Sequence, residues 1–469
     1  MNASDLTKLV QEFLSSYGRE RMIKGVSYYN NITDLDNKNF NIYYLDGEAH
    51  VNKSKSNEKT HTNYTKKVVE QAVSYISDIS LKSDDKSYLE QLVLTLGKDF
   101  KKDVMDLHRK SRQQGIAGLY SYVNESGEFA YFPVNGHELI FVYDSSRERK
   151  LSYVVRIYRF DYVNNSGDVK EIWRAEVIDE QSTTFYQQDE EDQEFRMLVE
   201  GIEITKNPVW HWETINTLNE GLTVINDWQI NPITEVKNNP SKQSDLEDIK
   251  GYIDAIEIVS SGFVNDLADV RQVLWAIKGY NGDDPAEAQK NIQAFSTILL
   301  DADEGSGIEA KTIEIPVTAR TTLLEWLDKK VYEMSSSVNM NELRGGNLTN
   351  VLIKAYYTEL QNKVELVELE LRTAINNLVI LATQYINKVK KTSYDPNKIE
   401  IIFKYDQIFN QVELVEMIMK SSGLGVVSKR TMMEKHPLVD DAVEEQKRLD
   451  AEKKEELASL GNDMGFGDE

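Results

Sequence analysis

The 469-residue chain has no cysteine at all, which rules out disulfides and thiolate metal sites. It has only eight prolines, so few positions force a helix to stop. No run of 18 or more apolar residues occurs, and Met1–Glu12 lacks the basic-then-apolar layout of a signal peptide. The expectation is synthesis in the cytoplasm of the producing cell, with no membrane partner. Positive charge is scarce: 54 Lys and Arg face 78 Asp and Glu, a formal net charge of −24. A sequence-specific nucleic-acid binder carries a basic face that displaces counterions from phosphate. This chain can therefore touch DNA but is not built to grip it.

Catalytic constellations are also missing. There is no G-x-x-x-x-G-K-[ST] phosphate loop and no Gly-x-Ser-x-Gly elbow. The histidines (His50, His61, His108, His137, His211, His436) show no ligand spacing. His137-Glu138 and Trp210-His211-Trp212 read as ordinary turn or sheet residues. Asp301-Ala302-Asp303-Glu304-Gly305-Ser306-Gly307 begins like a calcium loop. However, Ser306 stands where the sharp-turn glycine belongs and Thr312 replaces the bidentate glutamate, so it reads as an acidic turn. No metal, cofactor or enzymatic activity is expected.

What the chain does contain is helix in an unusual length. Between Pro316 and Pro396 it reads as helix (Thr318 to about Ser335), a polar and Gly-rich loop (Ser336–Gly346), then one very long helix. From Asn347 to Asp395 there is neither Gly nor Pro. There Ile353, Tyr357, Leu360, Val364, Val367, Leu371, Ala374, Leu378, Leu381 and Tyr385 alternate steps of four and three. That single apolar stripe predicts a rod about 60 Å long. Its members Val364, Val367, Leu371 and Leu378 are expected to serve the core, a neighbouring copy, or both.

Upstream, residues 4–24 read as one amphipathic helix with Leu6, Leu9, Val10, Phe13 and Leu14 on a face. A β-like patch follows at Phe40–Leu45, and helices around Thr65–Ser77 and Tyr88–Gln114. Leu119–Val123, Phe129–Phe132, Leu139–Tyr143, Leu151–Tyr162 and Val169–Ile178 alternate as strands between Asn-, Gly- and Ser-rich turns. They open a β-rich block over about 115–235. Ser244-Asp245-Leu246-Glu247 has a capping-box pattern and starts a second long stripe, Leu246 to Leu274, interrupted only by Ser260-Ser261-Gly262, a plausible bend. Residues 273–317 read as a small mixed module: strand Val273–Lys278, a helix starting at Asp284-Pro285, strand Thr297–Leu300, strand Lys311–Val317. The tail from Asp440 holds eleven acidic and four basic side chains. The fold class is α+β, mainly α.

This order of elements, and particular residues along it, resemble the portal proteins of tailed bacteriophages, in the branch typical of long-tailed phages of Gram-positive bacteria. The resemblance is carried by Gly25–Leu45 and Asn63–Ile76, by Gly115–Tyr120 with Glu125–Glu128, and most of all by Asn231–Asn239 followed by Ser244-Asp245-Leu246. Gly346-Asn347-Leu348-Thr349 with Lys354, and Val427–Thr431 with Pro437–Asp440 and Glu444, continue it. Val236 stands for the family's usual Phe and Asn350 for its usual Gly. The resemblance implies a dodecameric ring at the unique capsid vertex of the virion, a conduit for double-stranded DNA. Its implied partners are the terminase large subunit, a head-completion adaptor, and the major capsid and scaffolding proteins.

It further implies a wing over 1–240, stem helices over 241–274 and 318–335, and a clip over 273–317. A channel loop over 336–346 follows, then a long wing helix with closing strand over 347–410, and a crown with acidic tail over 411–469. In that channel loop Ser337, Asn339, Asn341 and Arg344 would be the side chains able to touch phosphate, with Glu342 as a local counter-charge and Arg344 equally open to pairing with Glu342 or a neighbour's acidic residue. Tyr280, Asn281, Asp283 and Asp284 would form the clip rim. A second reading makes the chain a scaffold or tail component that oligomerises through the long helix as a coiled coil, but it leaves 115–235 and 273–317 without a role.

Overall fold

The computed structural model describes residues 2–463 apart from 46, 54, 164–168, 190–191, 201–203, 217–221, 227, 229, 270–273, 279–296, 301–306, 312–315, 342–348, 406–410, 426 and 440–441. Helix and sheet are mixed, with about half the chain helical. By compactness the chain divides into two units, residues 1–337 with 362–405, and residues 338–361 with 406–469.

The first unit opens on two helices where the sequence predicts one, α1 (Ala3–Leu14) and α2 (Tyr17–Tyr29). The break falls at Ser16, whose hydroxyl accepts the Arg19 amide at 3.2 Å, a serine cap that outcompetes helix continuation. A short hairpin, β1 (Ile42–Leu45) and β2 (Glu48–Val51), precedes α3 (Tyr64–Tyr75), which passes directly into β3 (Ile76–Lys82). The stretch expected as one helix to Gln114 is likewise two, α4 (Lys86–Leu96) and α5 (Phe100–Gln114), divided at Gly97 with φ +77. Helix α5 stops at Gly115. Its φ is +84, and a Cβ there would lie 2.2 Å from the Lys242 carbonyl oxygen, so only glycine fits.

The β-rich block has the strands the turn signals predict, and more. β4 (Ile116–Val123), β5 (Phe129–Asn135), β6 (Leu139–Tyr143), β7 (Leu151–Val163), β8 (Val169–Ile178) and β9 (Ser182–Gln188) follow in turn. β10 (Phe195–Met197), β11 (Val209–Trp210), β12 (Trp212–Asn216), β13 (Leu222–Asn226) and β14 (Ile233–Lys237) complete it. One antiparallel sheet runs β10-β9-β8-β7-β6, and a second has the order β14-β4-β5. Helix α1 lays Leu6 and Val10 on the first sheet, against Val155, Ile157, Ala175 and Phe195.

Helix α6 (Lys250–Asp269) continues unbroken through Ser260-Ser261-Gly262. Ahead of it, residues 245–249 form turns rather than helix, so the capping box is only half made. The Ser244 amide donates to Glu247 Oε1 at 3.2 Å, while the Ser244 hydroxyl finds no partner among the described residues. Leu246, Ile249, Ile253 and Ile256 pack with Tyr28, Val68 and, further along the chain, Leu327 and Val331. Each fully buried aliphatic side chain of this kind contributes about 1.5–3 kcal/mol.

In the small module β15 (Leu274–Lys278) pairs in parallel with β16 (Thr297–Leu300) and antiparallel with β17 (Gly307–Lys311). Of the strand expected at Lys311–Val317, Lys311 is the last residue of β17 and Val317 already starts helix α7 (Val317–Met334), while 312–315 lie outside the described residues. The helix expected at Asp284-Pro285 lies outside the described residues.

The long helix is present as α8 (Asn350–Lys390), 41 residues in one piece. Its residues 362–390 belong to the first unit. There Tyr88 Oη and Thr383 Oγ1 meet at 2.6 Å, and Arg372 donates to the Ile401 carbonyl at 2.7 Å. That second bond holds β18 (Glu400–Tyr405), which pairs antiparallel with β3. The second unit is helical: the start of α8 with α9 (Gln411–Gly423), α10 (Lys429–Lys435) and α11 (Ala442–Asp463). Ser428 caps α10, accepting the Thr431 amide at 3.2 Å.

Candidate functional site

The polar loop after α7 leaves from a fixed point. Ser335 is buried, and Ser336 sits in the left-handed region at φ +51, which turns the chain off the helix axis. The Ser337 amide still donates back to the Tyr332 carbonyl at 3.0 Å, and Lys363 Nζ caps the Ser335 carbonyl at 3.0 Å.

Lys363 is the outer member of a buried charge cluster. Its Nζ lies 2.9 Å from Asp245 Oδ1, and Arg112 Nη1 lies 3.0 Å from Asp245 Oδ2. Asn238 Nδ2 donates to Asp245 Oδ1 at 3.0 Å, and the Asp245 amide donates to the Arg112 carbonyl at 2.9 Å. Arg112 is fully buried and Asp245 is 3% exposed. One carboxylate thereby joins α5, the connector after β14, the approach to α6, and α8, which in turn caps α7.

Burial alone would raise the Asp245 carboxyl. The Lys363 and Arg112 charges and the Asn238 hydrogen bond outweigh it and hold Asp245 well below the usual carboxylate range. Burial lowers the Lys363 ammonium, against the pull of Asp245. Burial, with the Arg112 charge beside it, holds His108 far below the ordinary imidazole range. The neutral ring accepts from Arg112 Nε at 2.8 Å. Such a cluster, two cations converging on one carboxylate, fixes geometry rather than doing chemistry.

Of the predicted loop residues, Ser337 and Asn339 are half-buried and Asn341 is exposed. Asn339 Oδ1 accepts the Asn341 amide at 3.0 Å, a side-chain turn that shapes the loop locally. Glu342 and Arg344 lie outside the described residues, as do Tyr280, Asn281, Asp283 and Asp284 of the expected rim.

Val364, Val367, Leu371 and Leu378 are at most 1% exposed within the single chain. They lie in the core of the single chain. Apolar side chains that α8 leaves open include Leu366 at 65% and Leu369 at 62%. Trp326 of α7 is 52% exposed and Leu267 of α6 54%.

His137 and His211 are satisfied structural residues. His137 Nδ1 lies 2.7 Å from Gln114 Oε1, and His211 Nε2 lies 2.7 Å from the Asp179 carbonyl. Among the described residues no group of three or more His, Asp and Glu could hold a metal ion, and no helix is long and apolar enough to cross a membrane. The Asp245 cluster was missed from sequence. Its signal was Lys363, a cation set between Leu360, Val364 and Val367 on an otherwise apolar stripe.

Two comparisons bear on what this arrangement serves. The family model described as phage portal protein, SPP1 Gp6-like, matches residues 16–458. The portal protein of Bacillus phage SPP1 is 26% identical over 460 aligned residues, covering 97% of this chain and 88% of that protein. The portal protein of Clostridium phage phiCD119 is 26% identical over 466 residues, covering 95% of each.

Proposed function

The chain belongs to the SPP1 Gp6-like family of phage portal proteins, and on that premise we propose that it forms a closed ring, most simply of twelve copies, at one capsid vertex. The ring conducts double-stranded DNA in during packaging and out during ejection. It docks the terminase large subunit and later a head-completion adaptor, and sits among the major capsid and scaffolding proteins. In this reading 1–240 and 347–410 form the wing, 241–274 and 318–335 the stem, 273–317 the clip and 411–469 the crown. The loop 336–346 faces the channel. The single observation that carries the reading is the family match along residues 16–458, which leaves no large part of the chain to another role.

Physical features support it. Head-to-tail contacts that close make rings, and exposed Leu366, Leu369, Trp326 and Leu267 offer apolar surface to a neighbour. Twelve copies at −24 each carry a total charge of about −290. An acidic wall repels a duplex over a Debye length of about 8 Å, so DNA is centred and not held. The Asp245 cluster fixes the chain where the loop begins, at Ser335, and the loop's Ser337, Asn339 and Asn341 can make weak, sequence-blind phosphate contacts. By sequence the loop continues through Glu342 and Arg344, and Arg344 is its one side chain for a strong phosphate contact or, equally, for an ion pair with Glu342 or a neighbour's acidic residue.

Native mass spectrometry of the purified chain tests this directly. The expected species is one large closed oligomer with no measurable sequence-specific DNA affinity. A dimer or trimer would favour the coiled-coil scaffold reading. Arg344→Glu, or shortening the loop, is expected to impair packaging while the oligomer persists.

A further inference from the structure

The distal half of α6 is buried in an unusual way. Its proximal half is covered through Ile253 and Ile256, but from there on the buried positions are Glu257, Ser261 and Asn265, at 1%, 0% and 5% exposure. What covers them is the segment 56–62, which has no regular secondary structure of its own.

The contact is a ladder. The Ser56 amide donates to Asp269 Oδ1 at 3.0 Å, and the Glu58 amide to Asn265 Oδ1 at 2.7 Å. The Thr60 amide donates to Ser261 Oγ at 2.9 Å, and the Thr62 amide to Glu257 Oε1 at 2.9 Å. Every two residues forward along the segment match four residues backward along the helix. Asn265 Nδ2 also donates to the Glu58 carbonyl at 2.9 Å, so this amide side chain pairs with a peptide as a neighbouring strand would.

The spacing explains the fit. Four helical residues rise about 6 Å, two extended residues span about 6.6 Å, and the oblique course of an i, i+4 row makes up the difference. The helix reads backbone. Toward the helix the segment's side-chain contribution is Thr62 Oγ1, 3.2 Å from Glu257 Oε1, while Asn57, Lys59 and His61 turn to Phe40 and Asp36. The other Glu257 oxygen accepts from Thr33 Oγ1 at 2.5 Å, which ties the ladder's end to the turn at 33–37.

We propose that residues 56–62 are a sequence-blind latch on α6. Glu257, Ser261, Asn265 and Asp269 are its positioning residues, and it opens and closes as one piece without unfolding the apolar core under the proximal half. Closed, it holds the distal half of α6, the part that leads to β15. Open, that half loses its cover on this face while Ile253 and Ile256 stay packed. The proposal does not depend on ring formation, which a separate measurement reads.

Residue-resolved amide hydrogen exchange on the purified full chain tests it. Amides 56, 58, 60 and 62 are expected to be protected to a common level, below that of Ile253 and Ile256, with 57, 59 and 61 exchanging faster. Asn265→Leu should lower all four together by about tenfold or more and leave Ile253 unchanged. Ser261→Ala, which adds no volume, should do the same to a smaller degree. The double variant Glu58→Ala/Thr60→Ala, which changes only the segment's side chains, should keep protection within about threefold. The proposal is overturned by protection that does not alternate, or by amides lost singly in the helix variants. Loss in the segment double variant as large as in Asn265→Leu would also overturn it.

Discussion

The two halves of α6 are held by opposite means. The proximal half buries Ile253 and Ile256 among Tyr28, Val68, Leu327 and Val331, and apolar burial of that kind is strong but indifferent to direction. The distal half buries Glu257, Ser261 and Asn265 against the backbone of 56–62, where each bond adds little net stability but demands one register. At the helix entrance the Asp245 cluster adds a third mode, two cations on one buried carboxylate. The lesson is that stability and positional definition are supplied at different points along one element.

Breaking the entrance should cost most. Asp245→Ala leaves Arg112 buried and uncompensated, and is expected to destabilise the chain by about 3–5 kcal/mol in urea unfolding. Acid reports on the same contrast. Because Asp245 titrates below the unfolded carboxylate, its contribution is complete above about pH 4 and is lost as pH falls through the folded value. Asp34 behaves in the same sense. Burial opposes its ionisation, but hydrogen bonds from Lys24 and Lys250 bring it down to about 2, so its share is lost between about pH 4 and 2. A stability profile flat from pH 7 down to 2 would contradict both assignments.

In the proximal half, Ile253→Ala should cost about 2–4 kcal/mol, read as a lowered urea midpoint with unchanged slope. In the distal half, Asn265→Ala should cost about 1–2 kcal/mol, most of it local to 56–62 by exchange. A larger loss there than at Ile253 would reverse the comparison. The smallest effect is expected on the open face of α8. Leu366→Asp should change the stability of the isolated subunit by at most about 0.5 kcal/mol, whereas Leu371→Asp, aimed into the core, should prevent folding. If Leu366→Asp also leaves the oligomer intact, that face is not a subunit contact.

Much of this was legible in the sequence, and the reasons for the remainder are physical. Strands β6 and β8 fall where alternation and turn residues put them, because hairpins are local. The pairing of β3 with β18 joins residues more than 300 positions apart, and no local pattern announces it. Breaks at Ser16 and Gly97 were missed because apolar periodicity ran across them, and a cap or a left-handed glycine decides such points. The ladder was hidden for a related reason. Of its helix residues only Ser261 falls in the interruption read at 260–262, and Glu257 and Asn265 are polar positions beside the apolar stripe. Little in 56–62 marks it as their partner, since apart from Thr62 Oγ1 it meets the helix with its backbone. Arg112 and Lys363 carried the faint signal of a charge on an apolar face.

Cryo-electron microscopy of the purified chain decides whether the proposed ring forms with the loop after α7 lining its channel. The expected image is a closed cyclic assembly with a central hole wide enough for a duplex, residues 336–341 at its wall and Leu371 inside each subunit. Rods, open filaments, or a ring that carries 336–341 on its outer surface would contradict it.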